Sequence, residues 1–534
     1  MTDERIVAFA EAQERRRRRG PPSSRNPDLP LIRLAPGGLA DEVNAVEAAL
    51  IAAGKDLYVY GGRLVEPVWT DIKVSAGRKD RSLQLRETPV PRMLYLIAES
   101  VRFEQFSKLA DDWIPASCPH TIAETLVAMG TWPFPTLTSV VSTPTLREHD
   151  YSVISEHGYD AASGTLFHPN GTEYGPVPDA PDRAECLAAM ARLKAPIRHF
   201  PFITDADRSV ALSAMLTVVV RSAVPTAPLH AFSSPVPGSG KSKLNDIAAI
   251  LGTGHRAPVV SFESGGKEEI DKTIRSLVLS GVSIIAIDNV ESVLGNELIN
   301  QVLTQERLSI RLLGSLRVVE SANRLTMFAN GNNLTIADQV TRRALRGCLD
   351  PKEERPELLE FEFEPEEYVL EHRARMVVDA LTCIRGRVAL GREPFSVLGS
   401  FSGWSYLVRD TLTWLGEADP VVTQDEMRGQ DPKVSGLRAV LDQLAAVYGT
   451  GRRVTVRDIV ADANRTSSET QDLEHPDLRD ALAAVAHGRG SEAVSAERLG
   501  WWFRRNQSRV VDGRRIVRDD SVVGHSAGWR VEDV

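Results

Sequence analysis

A glycine-rich stretch near the middle of the chain carries the residue types that bind phosphate. The segment PVPGSGKSK, residues 235–243, follows an apolar strand-like run and precedes a helical pattern. Backbone N–H groups at such a helix N-terminus donate hydrogen bonds to phosphate oxygens, a lysine reaches the β- and γ-phosphates, and a hydroxyl binds Mg²⁺. We predict a nucleotide site made of Pro237, Gly238, Ser239, Gly240, Lys241, Ser242 and Lys243.

The first position of this loop is unusual, because proline stands where the pattern has glycine. Pro235 holds φ near about −65° and donates no backbone hydrogen bond. It is incompatible with the loop only if that position needs a positive φ or a phosphate-facing amide. The amides that contact phosphate follow it, so we predict that the loop binds ATP with Mg²⁺, held at the Ser242 hydroxyl.

A second candidate element is the apolar run IIAI, which ends in Asp288 about fifty residues after the lysine. A carboxylate at the end of a buried strand can hold the water shell of Mg²⁺; the alternative is a plain aspartate turn. Many ATPases place a glutamate next to orient the attacking water, and this chain has the catalytic candidate Asn289, whose amide can orient water but cannot take a proton. Candidates for a substitute base are Glu263, Glu268, Glu269 and Glu291.

A third apolar run ends in the polar segment FANGNN, which contains Asn330, Asn332 and Asn333. We assign to Asn332 the detection of the γ-phosphate. Nine residues after Asn333 lies the pair Arg342–Arg343. An arginine that reaches the nucleotide of a neighbouring subunit stabilises charge in the transition state and raises the rate by about 10³–10⁵. The alternative is an arginine pair in surface salt bridges.

With these elements in this order the chain resembles the superfamily 3 helicases, which are AAA+-type ring ATPases of phages, plasmids and small viruses and include phage and prophage primase–helicases. The matching residues are PGSGKS, IIAIDN, FANGNN and DQVTRR, and a looser resemblance covers residues 131–420. It implies a homo-oligomeric ring, a hexamer or similar, that translocates on single-stranded or forked DNA during replication of a mobile element. Asn289 departs from the family pattern.

The elements that position these residues follow from the hydrophobic pattern. Strand-like and helical runs alternate over residues 229–350 and predict an α/β P-loop ATPase core with a parallel, AAA+-like sheet. We divide the rest into a flexible basic arm, an α+β module, a helical lead-in, a helical segment, and a C-terminal region that begins with a linker around Pro420–Pro432. Their ranges are 1–30, 31–195, 196–228, 351–420 and 421–534.

The segment SIRLLGSLRVVE is a candidate DNA contact inside the core. Its alternating residues predict a hairpin that turns at Gly314–Ser315. The resemblance implies that this hairpin projects into the channel of the ring, where Arg311 and Arg317 contact phosphates. The alternative is a plain edge hairpin.

The C-terminus is a second candidate, because a helix followed by two strands predicts a winged helix. We interpret Trp501, Trp502 and Trp529 as the core of this small domain. The alternative to DNA binding is a winged helix that docks on protein. The predicted positive face consists of Arg504, Arg505, Arg509, Arg514, Arg515 and Arg518.

The charge, the cysteines and the apolar runs of the sequence argue against several classes of protein. The net charge of −9 does not indicate a nucleic-acid binder as a whole, but eight arginines face three aspartates between Arg498 and Arg530. The four cysteines form no CxxC pair, which argues against a zinc site or a disulfide framework. The longest apolar run, Val210–Val220, is too short to span a bilayer. We predict a cytoplasmic protein without membrane contact.

The leading hypothesis is an ATP-dependent DNA helicase or translocase. A primase–helicase is one alternative, but the acidic pair Asp205 and Asp207 fits helix capping better than metal binding, so a separate chain would supply the primase. An ATP-gated DNA-binding initiator or loader with weak hydrolysis is the other alternative, and Asn289 is the feature that favours it.

Overall fold

The computed structural model describes residues 28–75, 78–261, 266–290, 293–311, 317–336, 339–353, 356, 362–391, 397–430, 432–466, 472–488, 491–519 and 528–534. Three features of the sequence lie outside the described residues: the first 27 residues of the basic arm, the candidate bases Glu263 and Glu291, and the hairpin turn Gly314–Ser315. No helix within these ranges combines the length and the apolar character needed to cross a membrane.

The N-terminal module is a mixture of short strands and helices, as predicted. Its first half has its own core, which runs from Ile32 to Phe134. Leu146 and the buried side chains of residues 186–193 pack with the central core, whereas Leu166 belongs to a small separate cluster with Tyr58, Tyr60, Val65, Leu85 and Leu137. Its elements are β1 (Leu31–Leu34), α1 (Leu39–Ala52), β2 (Tyr58–Tyr60), β3 (Arg63–Ser75), β4 (Arg78–Glu87), α2 (Val90–Ser100), β5 (Arg102–Ser107), β6 (Asp112–Ala116), α3 (His120–Ala128), β7 (Ser139–Val141), β8 (Thr145–Leu146), β9 (Val153–Ile154), β10 (Gly158–Asp160), β11 (Thr165–Phe167) and α4 (Arg183–Lys194).

The centre of the molecule is a five-stranded parallel sheet, as the alternating pattern predicted. The strand order is β13-β14-β17-β12-β18, and β15 and β16 form a separate antiparallel hairpin. Strands β12 and β14 are almost entirely buried, which suits their continuous apolar runs. The elements are α5 (Asp205–Val220), β12 (Leu229–Ser234), α6 (Lys241–Thr253), β13 (Val259–Ser261), α7 (Gly266–Leu279), β14 (Ile284–Asp288), α8 (Glu297–Thr304), β15 (Arg307–Arg311), β16 (Val318–Ala322), β17 (Thr326–Asn332) and β18 (Ala344–Cys348).

This sheet order determines where a ligand can bind. After β12 the chain forms β13 at one edge of the sheet and returns through β14 and β17. It then passes over β12 to form β18 at the other edge. Strand β12 is therefore the topological switch point, and ligands of open parallel sheets bind in the crevice at the carboxyl ends of the strands there. The glycine-rich loop lies at this end of β12.

The acidic pair before the sheet has a structural role, as the capping interpretation predicted. The Asp207 carboxylate accepts hydrogen bonds from Thr204 N, Thr204 Oγ1 and Cys348 N. It thereby completes a capping box at the start of α5. Asp205 forms a salt bridge with Arg208 one turn further on. No group of three or more His, Cys, Asp or Glu side chains that could hold a metal occurs in the described part of the chain.

The linker predicted around Pro420–Pro432 is wrong for residues 420–430, which are helical. After α9 (Pro365–Ala389) and α10 (402–415), the Asp419 carboxylate caps a short 3₁₀ turn, and α11 (Thr423–Gln430) follows. Gln424 Nε2 donates to Ala344 O at 3.0 Å, and Met427 is buried in the central core. The physical reason is that β18 is an edge strand, whose exposed backbone groups need a cover.

The C-terminal region has a separate core. Helices α12 (Pro432–Tyr448), α13 (Val456–Ala463), α14 (Pro476–Ala486) and α15 (Ala496–Asn506) pack with a three-stranded antiparallel sheet of order β19-β23-β22. The helix α15 is followed by the two strands β22 and β23, the element order from which a winged helix was predicted. The strands are β19 (Val454–Thr455), β20 (His487–Gly488), β21 (Ser491–Val494), β22 (Arg514–Asp519) and β23 (Gly528–Asp533).

One tryptophan in this region is not where the sequence predicted it. Trp529 is buried and Trp502 packs at the edge of the core, but Trp501 is 64% exposed. Leu499 and Phe503, four residues apart, form the buried stripe of α15. Trp501 therefore points away from the core because of its position in the helical turn. The core interpretation is wrong for this residue.

Candidate nucleotide-binding site

The loop between β12 and α6 has the backbone that a phosphate cradle requires. Gly238 and Gly240 adopt positive φ values of 74° and 91°, which glycine reaches without strain. Gly240 also leaves no room for a side chain, because a Cβ atom there would lie 2.7 Å from Phe200 Cε1. Pro235 precedes these positions and meets no requirement for positive φ. The proline is therefore compatible with the loop.

The Lys241 ammonium lies inside this loop. Its Nζ donates hydrogen bonds to Val236 O at 3.0 Å, Ser239 Oγ at 3.1 Å and Asn332 Oδ1 at 2.9 Å. Burial lowers the pKa of Lys241, and the nearby Asp288 carboxylate raises it in part. All three hydrogen-bond acceptors are neutral oxygens. A buried cation whose three acceptors are neutral favours an anionic ligand, because a charge removed from water is stabilised by a charge of opposite sign.

Asn330 connects the loop to the end of β14. Its Nδ2 donates to Ser242 Oγ at 3.2 Å, and its Oδ1 accepts from Asn289 N at 3.2 Å. The same Asn289 N–H donates to Asp288 Oδ1 at 2.8 Å. The predicted magnesium ligands Ser242 and Asp288 are thus joined through one buried asparagine. A hydroxyl and a carboxylate are oxygen donors of the kind that Mg²⁺ prefers, so the residues fit this ion.

The backbone at Asn289 explains why no glutamate follows the aspartate. Asn289 has a φ of 53°, in the left-handed region that asparagine enters more readily than other residues with a side chain. A glutamate there would be strained by about 1–2 kcal/mol. Two of the alternative bases, Glu268 and Glu269, lie exposed in the first turn of α7.

Gly331 lies between the two asparagines of β17 and allows the end of this strand to approach β14. A Cβ atom at Gly331 would lie 2.4 Å from the backbone oxygen of Val290. The contact is with main chain, so it cannot be relieved by a side-chain rotation. The order Asn330–Gly331–Asn332 therefore has a steric reason.

We expect Gly331→Ala to lower the free energy of unfolding of the central core by about 1–3 kcal/mol, because the added methyl group overpacks this contact. Thermal unfolding of the full chain measures the change. The matched control is Gly429→Ala in α11, where a Cβ atom meets nothing within 4 Å and alanine favours the helix. Equal midpoints for the two variants would contradict the steric account.

The two arginines of the predicted finger have different environments. They lie in a 3₁₀ turn, Thr341–Arg343, directly before β18. Arg343 donates from Nη1 to Asn300 Oδ1 at 2.9 Å and to Gln339 Oε1 at 3.1 Å, and burial lowers its pKa. Arg342 is exposed. The side chain of Arg343 is thus held by contacts within the chain, and a contact of Arg342 with a neighbouring subunit stays a prediction.

The hairpin predicted within the core is present, and its strands pair in the register Arg311↔Val318. Leu308, Ile310 and Val319 are buried on one face. Arg311 and Arg317 are both exposed and lie on either side of the turn. The strands thus place both predicted DNA contacts at the same end of the hairpin.

The predicted basic face of the C-terminal region divides into two groups. Arg504, Arg505, Arg509 and Arg518 are exposed. Arg514 and Arg515 form salt bridges with acidic side chains that a phosphate would have to displace. Those partners are Asp442 and Asp533 for Arg514, and Glu532 for Arg515.

Two contacts of the site were missed by the sequence reasoning. The position of Phe200 against Gly240 comes from a segment outside every motif. Lys243, predicted as a nucleotide contact, donates from Nζ to Glu364 Oε2 at 2.7 Å, so its side chain is engaged in an ion pair. No local pattern signals either contact. Asn330 was named in the same polar segment as Asn332, but its contact with Ser242 was not predicted.

No protein-family model matches the chain, and no curated protein matches it. Among solved structures, an apo structure of the NrS-1 C terminal region is 14% identical over 91% of this chain and 98% of that chain, with a TM-score of 0.37. The A form apo structure of that region is 14% identical over 79% and 91%, with a TM-score of 0.35. The X-ray structure of JCV Helicase is 12% identical over 44% and 67%, with a TM-score of 0.20. These scores are too low to carry an argument about function.

Proposed function

We propose that the chain is an ATP-dependent DNA helicase or translocase that acts in the replication of a phage, prophage or plasmid. The observation that carries the proposal is the hydrogen bond between Lys241 Nζ and Asn332 Oδ1. It joins the phosphate-binding loop to the neighbouring strand end. A γ-phosphate bound by Lys241 would lie beside Asn332, the position from which its presence can be detected.

Each residue of the site has a role in this proposal. The amides from Gly238 to Ser242 bind the phosphates, and Lys241 exchanges its neutral acceptors for phosphate oxygens. Ser242 Oγ and Asp288 would hold Mg²⁺, whose positive charge would offset the negative charge of the phosphates. Asn332, released from Lys241, can then orient the attacking water. The exchange of partners at Asn332 couples nucleotide state to the position of β17.

The assembly in this proposal is a homo-oligomeric ring, with a hexamer as the expected state. Arg342 of one subunit would complete the nucleotide site of the next. The hairpin formed by β15 and β16 would line the channel, where Arg311 and Arg317 contact the strand. Asp207 is occupied by the cap of α5, so we assign primer synthesis to a separate primase.

Phosphate release with and without single-stranded DNA tests the proposed function. A translocase hydrolyses ATP faster when a strand is bound, so we expect clear stimulation of the purified chain. The second candidate, an ATP-gated initiator or loader, is favoured by Asn289 and would bind ATP with little turnover in either condition. Primer synthesis by the purified chain would instead favour a primase–helicase.

The hairpin arginines give a separate prediction. We expect Arg311→Ala and Arg317→Ala each to weaken single-stranded DNA binding without sequence preference and to reduce the salt slope by about 0.7, because each removes one phosphate contact. Fluorescence anisotropy at several salt concentrations measures both quantities. Arg307→Ala is the matched control, because Arg307 lies exposed at the other end of β15. An equal change in the control variant would refute the role of the turn end.

A further inference from the structure

A cleft in the C-terminal region is lined by neutral and charged residues, and its basic side chains outnumber its acidic ones. It lies between the start of α13, the first half of α15, and the strands β22 and β23, and it holds about 910 Å³ including its open mouth. Three arginines line it against one acidic side chain, Glu497. Arg457 is one of the three and belongs to no motif of the sequence. The other two are Arg504 and Arg518.

An exposed tryptophan adjoins this cleft. The Arg504 guanidinium lies 4.8 Å from the centroid of the Trp501 ring, and Arg504 also lines the cleft. Glu497, Gly500, Trp501 and Arg504 recur at helical spacing, so they share one face of α15. A single exposed aromatic side chain is common on protein surfaces and does not by itself indicate a binding site. Here the ring continues a basic cleft, and an arginine connects the two.

Gly500 keeps this face of the helix open. A Cβ atom there would approach only Arg504 Nη2, at 3.9 Å. Alanine would favour the helix by about 1 kcal/mol over glycine at an interior position. The missing side chain instead leaves space between Trp501 and the cleft.

We propose that this cleft and Trp501 bind an unpaired strand of nucleic acid, with phosphates in the cleft and one base stacked on the indole ring. Arginines neutralise phosphates regardless of sequence, and aromatic rings stack with every base. Bases within a duplex are stacked on each other, so Trp501 selects an unpaired strand. The inference rests on the proposed function in that it takes DNA as the ligand, but it requires neither ATP nor a ring.

Anisotropy with labelled oligothymidine and with a blunt duplex of the same length tests the inference on the full chain without nucleotide. We expect Trp501→Ala to weaken oligothymidine binding about 5- to 150-fold, the range for loss of one stacked base, and to leave duplex binding unchanged. Trp501→Phe should retain most of the affinity. Arg457→Ala should weaken oligothymidine binding and reduce its salt slope by about 0.7.

Two further variants distinguish a loss of binding at the cleft from an unspecific loss of DNA binding. Gly500→Leu fills the space beside the cleft and should also weaken oligothymidine binding, while Tyr95→Ala, which removes an exposed aromatic ring from α2, should not. Unchanged thermal unfolding of Trp501→Ala excludes a folding defect. An equal loss of duplex and oligothymidine binding, or no loss of either, would overturn the inference. All binding is measured without nucleotide, so failure of the ATPase proposal can be distinguished from failure of this inference.

Discussion

Replacing Lys241 by alanine should abolish ATP hydrolysis, with a loss of at least about 100-fold in turnover, because it removes the charged donor to the transferred phosphate. Phosphate release at saturating ATP measures the loss. The alanine variant also removes the only side chain that bridges Val236, Ser239 and Asn332 within the described site. The coupling between the loop and β17 should therefore disappear together with hydrolysis.

The folding of this variant should remain intact, for an electrostatic reason. Burial holds the folded-state pKa of Lys241 below its unfolded value, so the charged amine costs stability at neutral pH. This cost is relieved as the pH rises from the folded pKa toward the unfolded one. Removal of the amine relieves this cost, which offsets the loss of its hydrogen bonds to Val236, Ser239 and Asn332, so we expect the unfolding midpoint at neutral pH to change little. Lys272→Ala on α7 is the control for a surface lysine, and full activity of Lys241→Ala would refute the assigned role.

Replacing Arg342 by alanine should reduce hydrolysis of the assembled protein by about 10³–10⁵ while ATP binding is retained, as expected for an arginine that acts on the transition state from a neighbouring subunit. Phosphate release and equilibrium binding of an ATP analogue separate the two effects. Arg343→Ala should behave differently. It loses the hydrogen bonds to Asn300 and Gln339, so its main effect should be a lower unfolding midpoint.

A mixing experiment distinguishes a finger in the neighbouring subunit from one in the same subunit. When Arg342→Ala and Lys241→Ala chains are assembled together, some interfaces combine an intact Lys241 with an intact Arg342. Hydrolysis should therefore recover in the mixture although each variant alone is inactive. A mixture as inactive as its components would contradict the proposed shared site.

The predictable part of the site follows from one rule of sheet geometry. The carboxyl ends of parallel strands meet at one edge, so residues that follow apolar runs are brought together. That rule placed Lys241, Asp288 and Asn332 in one region from the sequence. It could not show that Asn330 joins Ser242 to the end of β14, since this depends on the register between strands. The positive φ of Asn289 is likewise a property of the folded backbone.

The errors arose where tertiary contacts override local pattern. The polar, proline-flanked segment 420–430 has the composition of a linker, yet it covers the edge strand β18 and buries Met427. Tryptophan is typical of a protein core, but the position of Trp501 in the helical turn places it on the face of α15 opposite Leu499 and Phe503. The difference between Arg342 and Arg343 depends on Asn300, which lies more than forty residues earlier in the chain.

The most direct measurement of the nucleotide site is a crystal structure of the full chain with an ATP analogue and Mn²⁺, whose anomalous signal locates the metal. We expect the ion at Ser242 Oγ with Asp288 on its water shell, and Lys241 Nζ turned from Asn332 to the γ-phosphate. A nucleotide bound elsewhere, or a metal remote from Asp288 while Lys241 keeps its bonds to Val236 and Asn332, would contradict the account.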